Sequence, residues 1–86
     1  MAAVRIPPTL RAEVGGARQL EAHGETVADV LEDLVSRHPA LAPQLLDDGE
    51  LAPFVNVFVD GRAERDLEAA VGAASRIRIV AAIAGG

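Results

Sequence analysis

The chain has no Cys, Trp, Tyr or Lys, and only one Met and two Phe among its 86 residues. Each absence removes a class of chemistry. Without Cys there is no disulfide framework, no thiolate metal site and no cysteine nucleophile. Few aromatics means no stacking platform for single-stranded nucleic acid. Basic charge is also scarce: eight residues, all Arg, face thirteen Asp and Glu, for a net charge of −5. The electrostatic attraction that dominates nucleic-acid binding is therefore missing, and no nucleic-acid partner is expected. No apolar run approaches the roughly 20 residues that span a bilayer, so no membrane partner is expected either. Met1 to Arg5 lacks a charged region leading into an apolar stretch, so no signal peptide is expected and the expected location is cytoplasmic. What is present is a chain that is 50% apolar, which points to a globular domain. At this length only about 60% of the unfolded surface is buried, enough for one small core and no deep internal pocket.

The patterning gives an order of elements. Ala3-Val4-Arg5-Ile6 alternates and is stopped by Pro7-Pro8, a strand with Val4 and Ile6 inward. Thr9 to Val14 extends it or forms a loop, and Gly15-Gly16 marks a turn. Ala17 to Ala22 alternates again, completing an N-terminal hairpin. Thr26 is a helix N-cap, with Asp29 placed to close a capping box. Val27, Val30, Leu31, Leu34 and Val35 then form one apolar stripe. Arg37 and His38 suit the negative end of the helix dipole, and Pro39 ends the helix. Leu41 to Leu46 is a short second helix and Asp47-Asp48-Gly49-Glu50 a polar loop. Phe54 to Val59 is the strongest strand, with Val55, Val57 and Val59 in one row and Phe54, Asn56 and Phe58 in the other. Asp60-Gly61 signals a type I′ hairpin turn, so Arg62 to Glu64 returns as a strand. Leu67 to Val71 is a turn or short helix, Gly72 to Ser75 a linker, and Ile77 to Ile83 the last strand. With the apolar first and last strands as central parallel neighbours, the fold class is α+β, a ubiquitin-like β-grasp with a mixed sheet on one main helix. Residues 1–84 form the single domain and 85–86 a flexible tail.

The terminal Gly85-Gly86 carries the functional argument. At an average usage of about 7% glycine, this pair ends roughly 0.5% of chains by chance. A frayed terminus is the plain alternative. Directly after a core strand, with Ala84 next to the pair, such a tail projects from a rigid body. Lacking Cβ atoms, it can thread a narrow channel and present the Gly86 carboxylate to ATP or a nucleophile. Adenylation would make that carboxylate a mixed anhydride, which sulfur displaces to give a thiocarboxylate. The chain supplies no catalytic group for these steps, so it is expected to be no enzyme itself.

Gly24-Glu25-Thr26-Val27 with Leu31, the strand Phe54 to Val59 before Asp60-Gly61, and Ala84-Gly85-Gly86 together resemble the ubiquitin-like sulfur carriers of the MoaD and ThiS kind. The resemblance covers nearly the whole chain. Ile6-Pro7-Pro8-Thr9-Leu10-Arg11, Gly15-Gly16 and the Phe-Val-Asn strand look most like the CysO-type carriers of cysteine synthesis. The chain departs from many members at Ala73-Ala74-Ser75, where they carry an acidic Gly-Asp turn. The resemblance implies two kinds of partner: an ATP-dependent adenylating enzyme and a sulfur-accepting synthase. The latter is a cysteine synthase acting on activated serine, a molybdopterin synthase large subunit or a thiazole-synthase-like enzyme. A metalloprotease follows in CysO-type systems. It implies no bound cofactor, only the adenylate and thiocarboxylate as covalent states of Gly86. The same terminus also suits a ubiquitin-like modifier of other proteins, although without Lys the chain cannot form lysine-linked chains of itself.

An outward row of Phe54, Asn56 and Phe58, with Arg5, Arg78 and Val80 flanking it and Ala84 near the tail, is a candidate docking face. Loop cover of either Phe is the plain alternative. His23 and His38 lie fifteen residues apart without Cys, and no metal site is expected there. Asp47 to Glu50 lacks the alternating ligands of a calcium loop. Asp60, Glu64, Asp66 and Glu68 form either a solvated face or one that meets a basic partner.

Overall fold

In a computed structural model that describes residues 2–81, the alternation of small apolar residues at the N-terminus becomes β1 (Ala2–Arg5). Ala2 and Val4 face the core, and Ile6 follows them inward. The next seven residues correct the expectation of an extended strand or loop: Pro8–Val14 is a 3₁₀ helix. Pro8 sits where a missing N–H costs nothing, Leu10 and Val14 are buried, and Gly15 ends the helix in the left-handed conformation at φ 68°. The expected hairpin therefore exists, with a helical excursion in its loop. β2 (Gln19–Ala22) pairs antiparallel with β1, Val4 opposite Leu20.

The main helix, α1 (Val27–Arg37), forms as its spacing predicts, with Val27, Val30, Leu31 and Leu34 buried. The Thr26 side chain accepts from the Asp29 N–H at 3.2 Å. The Asp29 carboxylate reaches back to the N–H of Glu25, at 3.3 Å, rather than to that of Thr26. Two further helix-start donors are satisfied from afar, because Val27 N–H and Ala28 N–H donate to the carbonyls of Ala69 and Leu67. Residues 67–71 are thus a turn segment that closes the start of α1. A 3₁₀ turn (Pro39–Leu41) leads into α2 (Ala42–Leu45).

The polar loop expected at Asp47 to Glu50 is instead a tight hairpin. β3 (Leu46–Asp47) pairs with β4 (Glu50–Leu51), and Asp48 (φ 54°) and Gly49 (φ 81°) make the turn. β5 (Val55–Val59) follows, with all three Val buried and Asn56 and Phe58 half-buried. Phe54 precedes the strand, in a turn closed by Val55 N–H to the Ala52 carbonyl. The hairpin at Asp60-Gly61 stands as predicted, with φ of 50° and 85°, and β6 (Arg62–Glu64) returns from it. β7 (Arg76–Ala81) completes the sheet. The rest of the strand expected to reach Ile83, and the tail, lie outside the described residues.

The five-stranded order is β2-β1-β7-β5-β6. β1 and β7 are central parallel neighbours and the other pairs are antiparallel. One face of this mixed sheet packs on α1 through Val4, Val55, Val57, Ile77 and Ile79. This is the ubiquitin-like β-grasp. Among the described residues no helix is long and apolar enough to cross a membrane.

Candidate functional site

Side chains alternate along a strand, so burying Ile77 and Ile79 turns Arg76, Arg78 and Val80 to the opposite face. The same rule turns Ala3 and Arg5 outward on β1 and Asn56 and Phe58 outward on β5. The register brings these residues together. Asn56 lies beside Val80, Phe58 beside Arg78, and Arg5 beside Arg78. The Arg78 guanidinium stacks over the Phe58 ring, 5.0 Å from its centroid, the geometry of a cation–π contact. Arg78 therefore covers part of half-buried Phe58.

Phe54 departs from the expected row. It belongs to the turn before β5 and is the most exposed large apolar residue described, at 45%. Asn56 Oδ1 lies 3.5 Å from the guanidinium of Arg65, the residue after β6, at the limit of a hydrogen bond. Ala84, Gly85 and Gly86 lie outside the described residues. The strand that leads to them is held on both sides, by β1 and by β5.

Two shallow depressions flank this strand. One, of about 600 Å³, is lined by Ala3, Arg5, Gln19, Phe58, Arg76 and Arg78. The other, of about 250 Å³, runs between Pro7, Pro8 and Arg11 on one side and Ile79, Val80 and Ala81 on the other. Sequence reasoning missed Arg76 and Gln19. The alternation Arg76-Ile77-Arg78 is the signal that could have found Arg76; Gln19 depends on the register with β1.

The acidic stretch is largely occupied with backbone donors. Asp60 accepts the Arg76 N–H at 2.9 Å, Glu64 accepts from Asp66 N–H and Asp66 from Glu68 N–H. The bond from Arg76, then one from the Ser75 hydroxyl, holds the Asp60 carboxyl below its ordinary value of 3.8. Ser75 also accepts from Gly72 N–H at 2.9 Å, so a serine hydroxyl closes the turn Gly72 to Ser75. Asp33 is lowered too, first by the His23 N–H and then by Arg37. Among the described residues no group of three or more His, Asp or Glu gathers in a way that could hold a metal ion.

The model of the ThiS family matches residues 4–86. The sulfur carrier protein CysO of Mycobacterium tuberculosis is 34% identical, over 96% of each chain. Small archaeal modifier protein 1 of Haloferax volcanii is 38% identical over 87% of this chain and 90% of its own. The crystal structure of the Amycolatopsis orientalis BexX/CysO complex contains a chain that superposes with a TM-score of 0.92, at 35% identity and over 100% of both chains.

Proposed function

The chain belongs to the ThiS family, and from that membership we propose that it is a sulfur carrier, itself no enzyme, whose cargo is held on the carboxyl group of Gly86. An ATP-dependent activating enzyme joins that carboxylate to AMP and releases pyrophosphate. A sulfide-level nucleophile then attacks the acyl carbon, AMP leaves, and a thiocarboxylate remains. A partner synthase takes the sulfur from it, with cysteine synthesis of the CysO type favoured over molybdopterin, thiazole or natural-product sulfur transfer. The single observation that carries the reading is a family match running to the last residue, which includes Gly85-Gly86.

The body of the domain does the docking. Asn56, Phe58, Arg78 and Val80 present one continuous face on β5 and β7, with exposed Phe54 and Ala84 as further candidate contacts. A similar fold solved in complex with BexX supports engagement of a partner protein. The test is the mass of the intact chain after incubation with ATP, a cognate activating enzyme and sulfide. Exchange of one oxygen for sulfur, a gain of about 16 Da, is expected. Removing Gly85 and Gly86 should abolish that gain and leave the thermal melt unchanged. A chain that forms neither adenylate nor thiocarboxylate with its cognate enzyme overturns the reading.

The similarity to an archaeal modifier protein favours one second reading, conjugation of Gly86 to lysines of other proteins. Discrete isopeptide adducts in cells, absent when Gly86 is removed, would establish it.

A further inference from the structure

The outer sheet face places three arginines side by side. Arg5 and Arg78 are direct register neighbours on β1 and β7, and Arg76 sits beside Ala3 two residues earlier on the same face. Adjacent strands lie about 4.8 Å apart, and like charges directly opposite one another destabilise a sheet. All three side chains are exposed. Among the described residues none of the three is in an ion pair, the pair found being Arg37 with Asp33. Glu21, at the β2 edge of the face, lies beside Ala3, and Asp60 spends an oxygen on the Arg76 backbone. A basic cluster thus stands without an ion pair, with Asp60 feeling the charge of Arg76 at its edge, on a protein whose net charge is −5. Exposed carboxylates sit elsewhere: Glu25, Asp29 and Glu32 at the start and outer side of α1, and Asp47, Asp48 and Glu50 at the β3–β4 hairpin.

We propose that the face of Arg5, Arg76 and Arg78 around Phe58 docks an acidic surface of a partner protein, one presenting Asp or Glu side chains around an apolar contact for Phe58. The proposal rests on the docking reading above and adds the chemistry of the partner. Charge complementarity carries it. Guanidinium groups bind carboxylates in a two-pronged geometry, and such pairing turns the repulsion between Arg5 and Arg78 into attraction shared by one acidic patch. Gln19, register neighbour of Arg5, adds a neutral donor and acceptor at the rim of the depression. The carboxylates on the rest of the molecule repel the same partner and so bias it toward this face, a contribution to encounter rate and orientation more than to final affinity.

The test is an amide-resolved NMR titration of the full chain with a ten-residue poly-glutamate peptide. Expected are shifts grouped at residues 3, 5, 19, 58, 76 and 78, removed by 0.5 M salt as expected for screened charges. They should be lost in the triple variant Arg5→Gln, Arg76→Gln, Arg78→Gln, whose fold is checked by its own spectrum. Shifts spread over the whole surface, or unchanged in the triple variant, overturn the proposal. So does equally tight binding of a single-stranded DNA oligomer of the same charge, which would mark a non-selective anion patch. A salt-sensitive dimer of the chain alone, formed through its own acidic side, overturns it as well. With the activating enzyme, thiocarboxylate should form at least tenfold more slowly in the triple variant at low salt. Equal rates for variant and wild type overturn this surface and leave the carrier reading intact. Peptide binding by a chain that never gains about 16 Da does the reverse.

Discussion

At the scale of single residues, Gly24 and Asp60 carry more than their size suggests. Gly24 lies between two residues whose N–H groups are bound by α1: His23 donates to Asp33 and Glu25 to Asp29. A Cβ at position 24 would stand 2.6 Å from the Asp29 Cβ and 2.7 Å from the Val30 nitrogen. Neither atom can retreat without moving the helix. Gly24→Ala is therefore expected to cost about 1–3 kcal/mol, the range of overpacked sites. A thermal melt checks it, since each kcal/mol is worth about 4–8 °C in a domain of this size. Asp60 makes a prediction about acid. Its carboxyl is held below 3.8 in the folded chain, chiefly by the Arg76 N–H, so its contribution to stability is present above that value and lost as pH falls through the lowered one. Asp60→Asn should flatten the fall in urea midpoint below about pH 4. An unchanged acid limb would show that the Arg76 bond owes nothing to charge. By contrast, the ion pair Arg37–Asp33, at 3.0 Å and with Arg37 44% exposed, belongs to a class worth about 0–1 kcal/mol; Asp33 matters more for holding His23.

At the scale of elements, the long-range tie is Arg65. Its guanidinium donates to the carbonyls of Leu51, Ala52 and Val55, joining the end of β4, the turn and the first residue of β5. Arg65→Met keeps the stem and removes the donors. Hydrogen bonds to charged groups are worth about 1.5–3 kcal/mol, so losing three that share one guanidinium should lower stability by about 2 kcal/mol. The substitution should also speed amide exchange at Val55 while leaving β1 and β2 unaffected. The elements legible in the sequence were those with local signals. Thr26 and Pro39 bracket α1, strict alternation marks Val55 to Val59, and Asp60-Gly61 sets its hairpin. Asp48-Gly49 carried the same turn signal, masked by the acidic residues around it. The 3₁₀ helix at Pro8–Val14 was not legible, because its reason is tertiary: it brings Leu10 and Val14 into the core. Arg65 was equally hidden, its partners lying ten to fourteen residues away. Of the candidate site, the outward placement of Asn56, Phe58, Arg78 and Val80 followed from alternation alone. Phe54 fell outside it because the strand begins one residue later.

At the scale of the whole molecule, the core is one cluster of small and medium side chains, with Ile6, Leu31, Leu34, Leu41, Leu45 and Ile79 as its largest fully buried members. Leu34 is fully buried, and Leu34→Ala should cost about 2–5 kcal/mol through lost burial and the cavity left behind. Domains hold only about 5–15 kcal/mol in total, and one this small sits toward the lower end. The variant is therefore expected to have its urea midpoint lowered by about 40% or more. A near-native midpoint would mean that α1 closes the gap by sliding on the sheet. The parallel pairing of β1 with β7 has a further consequence, for synthesis. The central strand of the sheet is the last of these elements to leave the ribosome, and β1 and β5 have no common neighbour until it arrives. The sheet can then close only through contacts far apart in sequence, the kind that form slowly. A chain halted before Arg76 can pair β1 with β2, β3 with β4 and β5 with β6, but it lacks the strand that joins the first of these hairpins to the last. The two halves of the sheet thus become one sheet only when the last strand in the sequence is in place between them.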